Sequence, residues 1–122
     1  MDVLAYVAAG ITGLWGVAHA IPTRQVLAGF APITVDNRRV LLQEWLSEAV
    51  TMWAIAVLVV VVTAVATDTQ VTAWVYRIAA GLLVVLATLT AFTGARTRVL
   101  WFKICPALLT TSATLLLLAS IL

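Results

Sequence analysis

The sequence predicts an all-α polytopic membrane protein, an antiparallel bundle of four transmembrane helices with an interfacial first connection. Of its 122 residues, 64% are hydrophobic and only 10% are charged, and long uncharged runs such as residues 49–67 recur along the chain. A helix of about 20 apolar residues crosses the hydrocarbon core of a bilayer. Because ordinary soluble domains are roughly half apolar, this composition excludes a typical water-soluble globular protein.

The predicted domain organisation is a single transmembrane domain. It covers residues 1–122, with spans at about 3–21, 41–67, 71–94 and 99–122. The first span is interpreted as a retained helix, because Asp2 follows Met1 where a signal peptide carries basic residues. The second helix is expected to begin near Asp36, so that its first turns extend beyond the hydrocarbon.

Proline and glycine residues, which interrupt helices, occur in the connection between the first two spans. We expect Thr23 to cap a short helical turn over residues 24–28, which Gly29 ends. Thr34 or Asp36 is expected to cap the second helix, because both side chains can accept a hydrogen bond from a backbone N–H of the first turn.

The basic residues predict the orientation of the bundle. Six of the seven flank the first and third connections: Arg24, Arg38, Arg39, Arg96, Arg98 and Lys103. Since lysine and arginine favour the cytoplasmic side, we expect these connections to be cytoplasmic and both termini to face outward, in a multi-pass protein of the cell membrane. Arg77 belongs to the other side, where it is expected to reach outward or to pair with Asp68.

A stripe of small residues on the first span predicts close helix packing. Its members are Ala9, Gly13, Gly16 and Ala20. Small side chains let two helix backbones approach closely in a membrane. The stripe should therefore face another helix, either within the chain or in a homo-oligomer.

The most informative polar residues are two glutamates at the start of the second span. Glu44 and Glu48 are four residues apart, so they share one face of the helix. Acidic side chains near the bilayer are costly to desolvate and often mark a site. His19 and Lys103 are expected at a similar depth, near the cytoplasmic ends of the first and fourth spans.

This constellation predicts acid/base chemistry on a lipophilic small molecule that enters from the bilayer. The candidate catalytic residues are Glu48, Glu44 and His19, and the candidate substrate-binding residues are Trp45, Thr51 and Lys103. Burial favours the neutral form of a carboxyl group, which can then donate a proton, and histidine titrates near physiological pH. A membrane-embedded enzyme and a binding protein are both compatible with this site.

Two other functions remain open. In an accessory or structural protein, the glutamates would pair with arginine or lysine and hold the helix ends together. In a homo-oligomeric proton-coupled transporter or channel, they would face the symmetry axis. The expected partners are the lipid bilayer and a lipophilic small molecule, and no nucleic acid, since the tryptophans suit membrane anchoring. We predict no cofactor and no metal site, because no helix carries a zinc-type His/Glu motif and Cys105 is the one cysteine.

The segment over residues 28–39, followed by Glu44, Trp45 and Glu48, resembles a segment of small prokaryotic four-helix membrane proteins. It covers about a fifth of the chain. The resemblance implies the four-helix membrane fold and carries no activity with it. The general layout is also similar to that of membrane sterol isomerases, which combine acidic side chains with a lipid-accessible pocket, an analogy at the level of the fold.

The orientation can be tested by labelling Asn37→Cys in a Cys105→Ser background. Since the first connection is expected to be cytoplasmic, a membrane-impermeant maleimide should reach this cysteine only after the membrane is permeabilised. Thr67→Cys, in the second connection, is the control that should react in intact cells. Reaction of Asn37→Cys in intact cells would contradict the orientation.

Overall fold

The computed structural model describes residues 2–122, and every regular element in that range is helical. In chain order the elements are α1 (Asp2–Ala20), α2 (Thr23–Ala28), α3 (Val35–Val65), α4 (Thr69–Phe92), a 3-10 turn (Gly94–Arg96) and α5 (Leu100–Ala119). Four of the helices, α1, α3, α4 and α5, are long and apolar enough to cross a membrane. The all-α class and the four long apolar helices are therefore confirmed.

Side-chain caps determine where α3 and α4 begin. The hydroxyl of Thr34 accepts the backbone N–H of Asn37 at 3.2 Å, so Thr34 is the cap of α3. The Asp68 carboxylate accepts hydrogen bonds from two backbone N–H groups in the first turn of α4, at 2.8 and 3.2 Å. Each cap satisfies donors that have no partner within the helix, and a carboxylate also suits the positive end of the helix dipole.

The expected role of Thr23 is wrong. Thr23 is the first residue of α2, and Pro22 occupies the cap position without a side-chain hydrogen bond. The Thr23 hydroxyl instead donates to the carbonyl of Ala20, at the end of α1. Gly29 follows the helix as expected. The short helix is thus attached directly to the end of α1.

The helices pack through small side chains. Helix α1 packs against both α3 and α5, α4 packs against α5, and α3 and α4 make few contacts with each other. A Cβ added at Gly13 would lie 3.4 Å from the Cβ of Ala56, and one added at Gly16 would lie 2.7 Å from Trp53 Nε1 and 3.2 Å from Met52 Cβ. The small-residue stripe therefore faces α3 within the chain.

Two polar contacts join the helices at the end that contains the α3–α4 connection. The hydroxyls of Thr63 and Tyr76 lie 2.7 Å apart, and Tyr76 is buried. Arg77 donates to the hydroxyl and to the carbonyl oxygen of Ser120, both at 3.3 Å. The expected pairing of Arg77 with Asp68 is wrong, because Asp68 caps α4 while Arg77 binds a carbonyl beyond the end of α5, where helical partners are lacking.

Gly16→Leu should destabilise the protein, because its side chain would overlap Trp53 and Met52. Overpacking of this kind costs about 1–3 kcal/mol. The measurement is thermal unfolding of the purified protein in detergent. Gly10→Leu is the matched control on the same helix, since a Cβ there meets nothing within 4 Å. Equal stability of the two variants would contradict the packing of α1 on α3.

Candidate functional site

A cavity of about 920 Å³ lies at the end of the bundle where α1 meets α2. All five helices contribute to its wall, and we call it the Glu48 cavity. Its polar lining residues are His19, Gln25, Glu44, Glu48, Thr90, Thr93 and Cys105, and its aromatic lining residues are Trp15, Phe30, Trp45, Trp101 and Phe102. The wall is mainly apolar, with a few polar groups among aromatic rings. This composition is typical of small-molecule sites.

One face of α3 supplies the acidic part of the wall. Leu41, Glu44, Trp45 and Glu48 follow the helical spacing of three and four residues, and all four line the cavity. One turn further along the same face, Met52 is fully buried. The predicted common face of the two glutamates is therefore confirmed, and it ends at the hydrophobic core.

His19 connects α1 to this face of α3. Its Nε2 atom lies 3.0 Å from the carbonyl oxygen of Trp45, and its ring stacks on the Trp45 ring with centroids 3.9 Å apart. Because a carbonyl oxygen can only accept, Nε2 must carry a hydrogen. His19 is 8% exposed, so this contact is largely protected from water.

Glu48 lies next to the same histidine nitrogen. Its Oε2 atom is 3.7 Å from His19 Nε2, and its side chain is 29% exposed. That distance is too long for a hydrogen bond, so the contact is an ion pair when the imidazole is protonated. His19 and Lys103 are both expected at the depth of the two glutamates, and the structure brings His19 to Glu48.

Aromatic contacts hold the wall of the cavity together. Trp45 on α3 meets Phe102 on α5 edge to face, with centroids 5.9 Å apart. The ring centroids of Trp15 on α1 and Trp101 on α5 are 6.5 Å apart. The Nε1–H group of Trp15 donates a hydrogen bond to the sulfur of Cys105 at 3.0 Å. The indole N–H of Trp45 is buried and has no hydrogen-bond partner among residues 2–122.

Of the three remaining predicted site residues, only one lines the cavity. Glu44 lines the cavity but is exposed, with Gln43 Nε2 at 3.5 Å from its carboxylate. Lys103 and Thr51 do not line the cavity. Lys103 is exposed and donates to the carbonyl of Ala95, whereas the Thr51 hydroxyl bonds to its own helix. Lys103 points away because it lies two residues from the cavity-lining Cys105, on the other side of α5.

Arginine and lysine do not hold the glutamates in place. Within residues 2–122, the ion pairs are His19 with Glu48 and the exposed Arg39 with Asp36. The expected structural pairing of the glutamates with basic side chains of the connections is therefore not formed in the part of the chain that the structure describes. In the same range, no group of three or more His, Cys, Asp or Glu side chains is arranged to hold a metal ion.

Most of the aromatic wall does not follow from the predicted site, which includes Trp45 alone among the tryptophans. Trp15 and Trp101, for which the sequence suggests membrane anchoring, also line the cavity. Helical spacing contains the missing signal: Trp15 precedes His19 by four residues, and Trp101 precedes Cys105 by four. Placing them around one cavity also required knowing that α1 packs on α5.

Comparison with known proteins adds no relative: no family model, no curated protein and no solved structure matches this chain. The geometry of the Glu48 cavity is therefore the basis for assigning a function.

His19→Ala should lower the free energy of unfolding by about 1–3 kcal/mol, because it removes both a hydrogen bond and an aromatic stack. Denaturant unfolding in detergent measures the effect. Leu14→Ala is the matched control, since Leu14 is on the same helix and 73% exposed. Glu48→Gln should stay close to the wild type, since it keeps the shape of the side chain. A His19→Ala variant as stable as Leu14→Ala would rule out a structural role for the stack.

Proposed function

We propose that this protein is an integral membrane protein that binds a lipophilic small molecule in the Glu48 cavity. The observation that carries the proposal is a cavity of about 920 Å³ with aromatic walls and an acidic group on one side. Small-molecule sites typically measure about 300–1,000 Å³ and combine an apolar lining with a few polar groups. A ligand with an apolar body and one polar end matches this arrangement.

Membrane embedding is supported by the outer surfaces of the four long helices. Large apolar side chains point outward on each of them, for example Leu14, Val57, Val85 and Leu117. A continuous apolar surface of this extent would promote aggregation in water, whereas hydrocarbon solvates it. In this proposal the helices cross the bilayer up and down as an antiparallel bundle, and the Glu48 cavity lies at the cytoplasmic side, where the basic residues cluster.

Access from the bilayer is supported by the sparse packing between α3 and α4. Glu48 on α3 and Thr90 on α4 both line the cavity, but the two helices make few contacts. Their hydrogen bond between Thr63 and Tyr76 lies near the opposite end. Thr63 is fifteen residues from Glu48, about 22 Å along the helix. A lipophilic ligand would enter through the seam between α3 and α4 on the Glu48 side.

Acid/base catalysis is the second candidate function. It is favoured by the 3.7 Å separation of Glu48 and His19 in the cavity wall, because the two groups can exchange protons with a bound ligand. A Glu48 carboxylate would take a proton from the ligand, and the carboxylic acid would return it. This role requires that Glu48→Gln loses turnover even at ligand concentrations that saturate it, and turnover by that variant would exclude it.

Ligand binding can be tested with diphenylhexatriene, a neutral lipophilic probe. Wild-type protein in nanodiscs should show a saturable component of energy transfer from its tryptophans, in addition to the linear component from probe in lipid. Ala18→Phe should weaken saturable binding about tenfold or more, equivalent to about 1.4 kcal/mol, because the added ring occupies the cavity that Ala18 lines.

Val17→Phe is the control for this experiment. Val17 is the neighbouring residue, is exposed, and does not line the cavity. The variant adds the same ring to the same helix and should bind the probe like the wild type. Absence of a saturable component in the wild type, or equal binding by both variants, would refute the proposed site.

A further inference from the structure

We infer that the ligand of the Glu48 cavity is a lipophilic organic cation, such as a protonated amine or a quaternary ammonium compound. The inference rests on the proposed function, because it names the class of molecule that the same cavity takes. It is carried by the charge of the wall, by the position of the basic residues outside it, and by the aromatic lining.

The ionisable residues of the wall are mostly acidic. Glu44 and Glu48 both line the cavity, and His19 lies beside Glu48. No arginine or lysine of residues 2–122 lines it. With both glutamates ionised, one imidazolium offsets only one of the two carboxylates, so the wall is then negative whichever form His19 takes. A cationic ligand would supply the charge that the described residues leave uncompensated.

Three basic residues of the same end have partners outside the cavity wall. Arg39 pairs with Asp36, the guanidinium of Arg96 lies 5.4 Å from the ring centre of Phe92, and Lys103 binds a backbone carbonyl. All three are exposed, so salt screens their charges over about 8 Å. Glu48 is only 29% exposed and is screened less. The field inside the cavity therefore depends mainly on Glu48, with a screened contribution from the exposed Glu44.

The aromatic wall favours the same sign of charge. Aromatic faces carry negative partial charge and attract cations. The rings of Trp45 and Phe102 are inclined at 77°, and those of Trp15 and Trp101 at 44°, so the lining rings do not lie in one plane. An anion would meet repulsion from both carboxylates and rings. A lipophilic cation can bury its apolar groups against the rings and place its charge near Glu48.

A matched pair of ions tests the inference. Tetraphenylphosphonium and tetraphenylborate have nearly the same size and shape and opposite charge. Binding to the full chain in nanodiscs is measured by equilibrium dialysis, with empty nanodiscs as the lipid background. We expect saturable binding of tetraphenylphosphonium and none of tetraphenylborate. Glu48→Gln should weaken cation binding about tenfold.

Two further variants make the test specific. Glu44→Gln removes the other carboxylate of the wall at an exposed position, where the fold should tolerate it, and should also weaken cation binding. Asp36→Asn removes the same charge from an exposed residue that does not line the cavity, and should bind like the wild type. Unchanged cation binding by both glutamine variants, or equal binding of the two ions, would overturn the inference.

The neutral probe separates this inference from the function on which it rests. If diphenylhexatriene binds saturably and tetraphenylphosphonium does not, the cavity is a lipophile site without preference for cations, and the inference fails alone. If neither binds saturably, the proposed function fails as well.

Discussion

The close approach of α1 and α3 is the contact on which the candidate site depends. A methyl group added at Gly16 would lie only 2.7 Å from Trp53 Nε1 and 3.2 Å from Met52 Cβ, both on α3. It would fit only if these residues shifted. One turn further along α1, His19 stacks on Trp45 and binds its carbonyl oxygen. Because the missing side chain at Gly16 brings the two helices together, the imidazole reaches α3 and meets Glu48.

The same packing arrangement leaves space at the end of the bundle. Helix α1 lies against both α3 and α5, while α3 and α4 have few contacts. The wall is completed by rings that bridge these helices, with Trp45 on Phe102 and Trp15 near Trp101. Large rings at a few points keep the helices in contact without filling the volume between them. The result is a cavity with aromatic sides and an acidic group at one side.

Charge is distributed unevenly at this end of the molecule. Glu44 and Glu48 line the cavity, whereas the exposed Lys103 and the basic residues of the connections do not. In the proposed membrane setting, basic side chains would reach headgroups and water, where their charges are solvated. The carboxylates lie within about the first four turns of a helix longer than the bilayer core. They would remain partly hydrated, which limits the cost of placing them beside an apolar wall.

The sequence by itself determined the all-α class, the four long apolar helices and the shared face of Glu44 and Glu48, and it limited the cap of α3 to Thr34 or Asp36. These features follow from local periodicity, composition and capping chemistry, which do not depend on what the helices touch. Only the tertiary structure decided that Glu48 meets His19 and not Lys103, that Arg77 binds Ser120, and that Trp15 and Trp101 line a cavity. Depth along a helix can be read from residue position, but the direction in which each face points depends on how neighbouring helices are rotated and packed. That rotation is set by contacts between residues far apart in the chain, such as Gly16 with Trp53, and no local pattern encodes it.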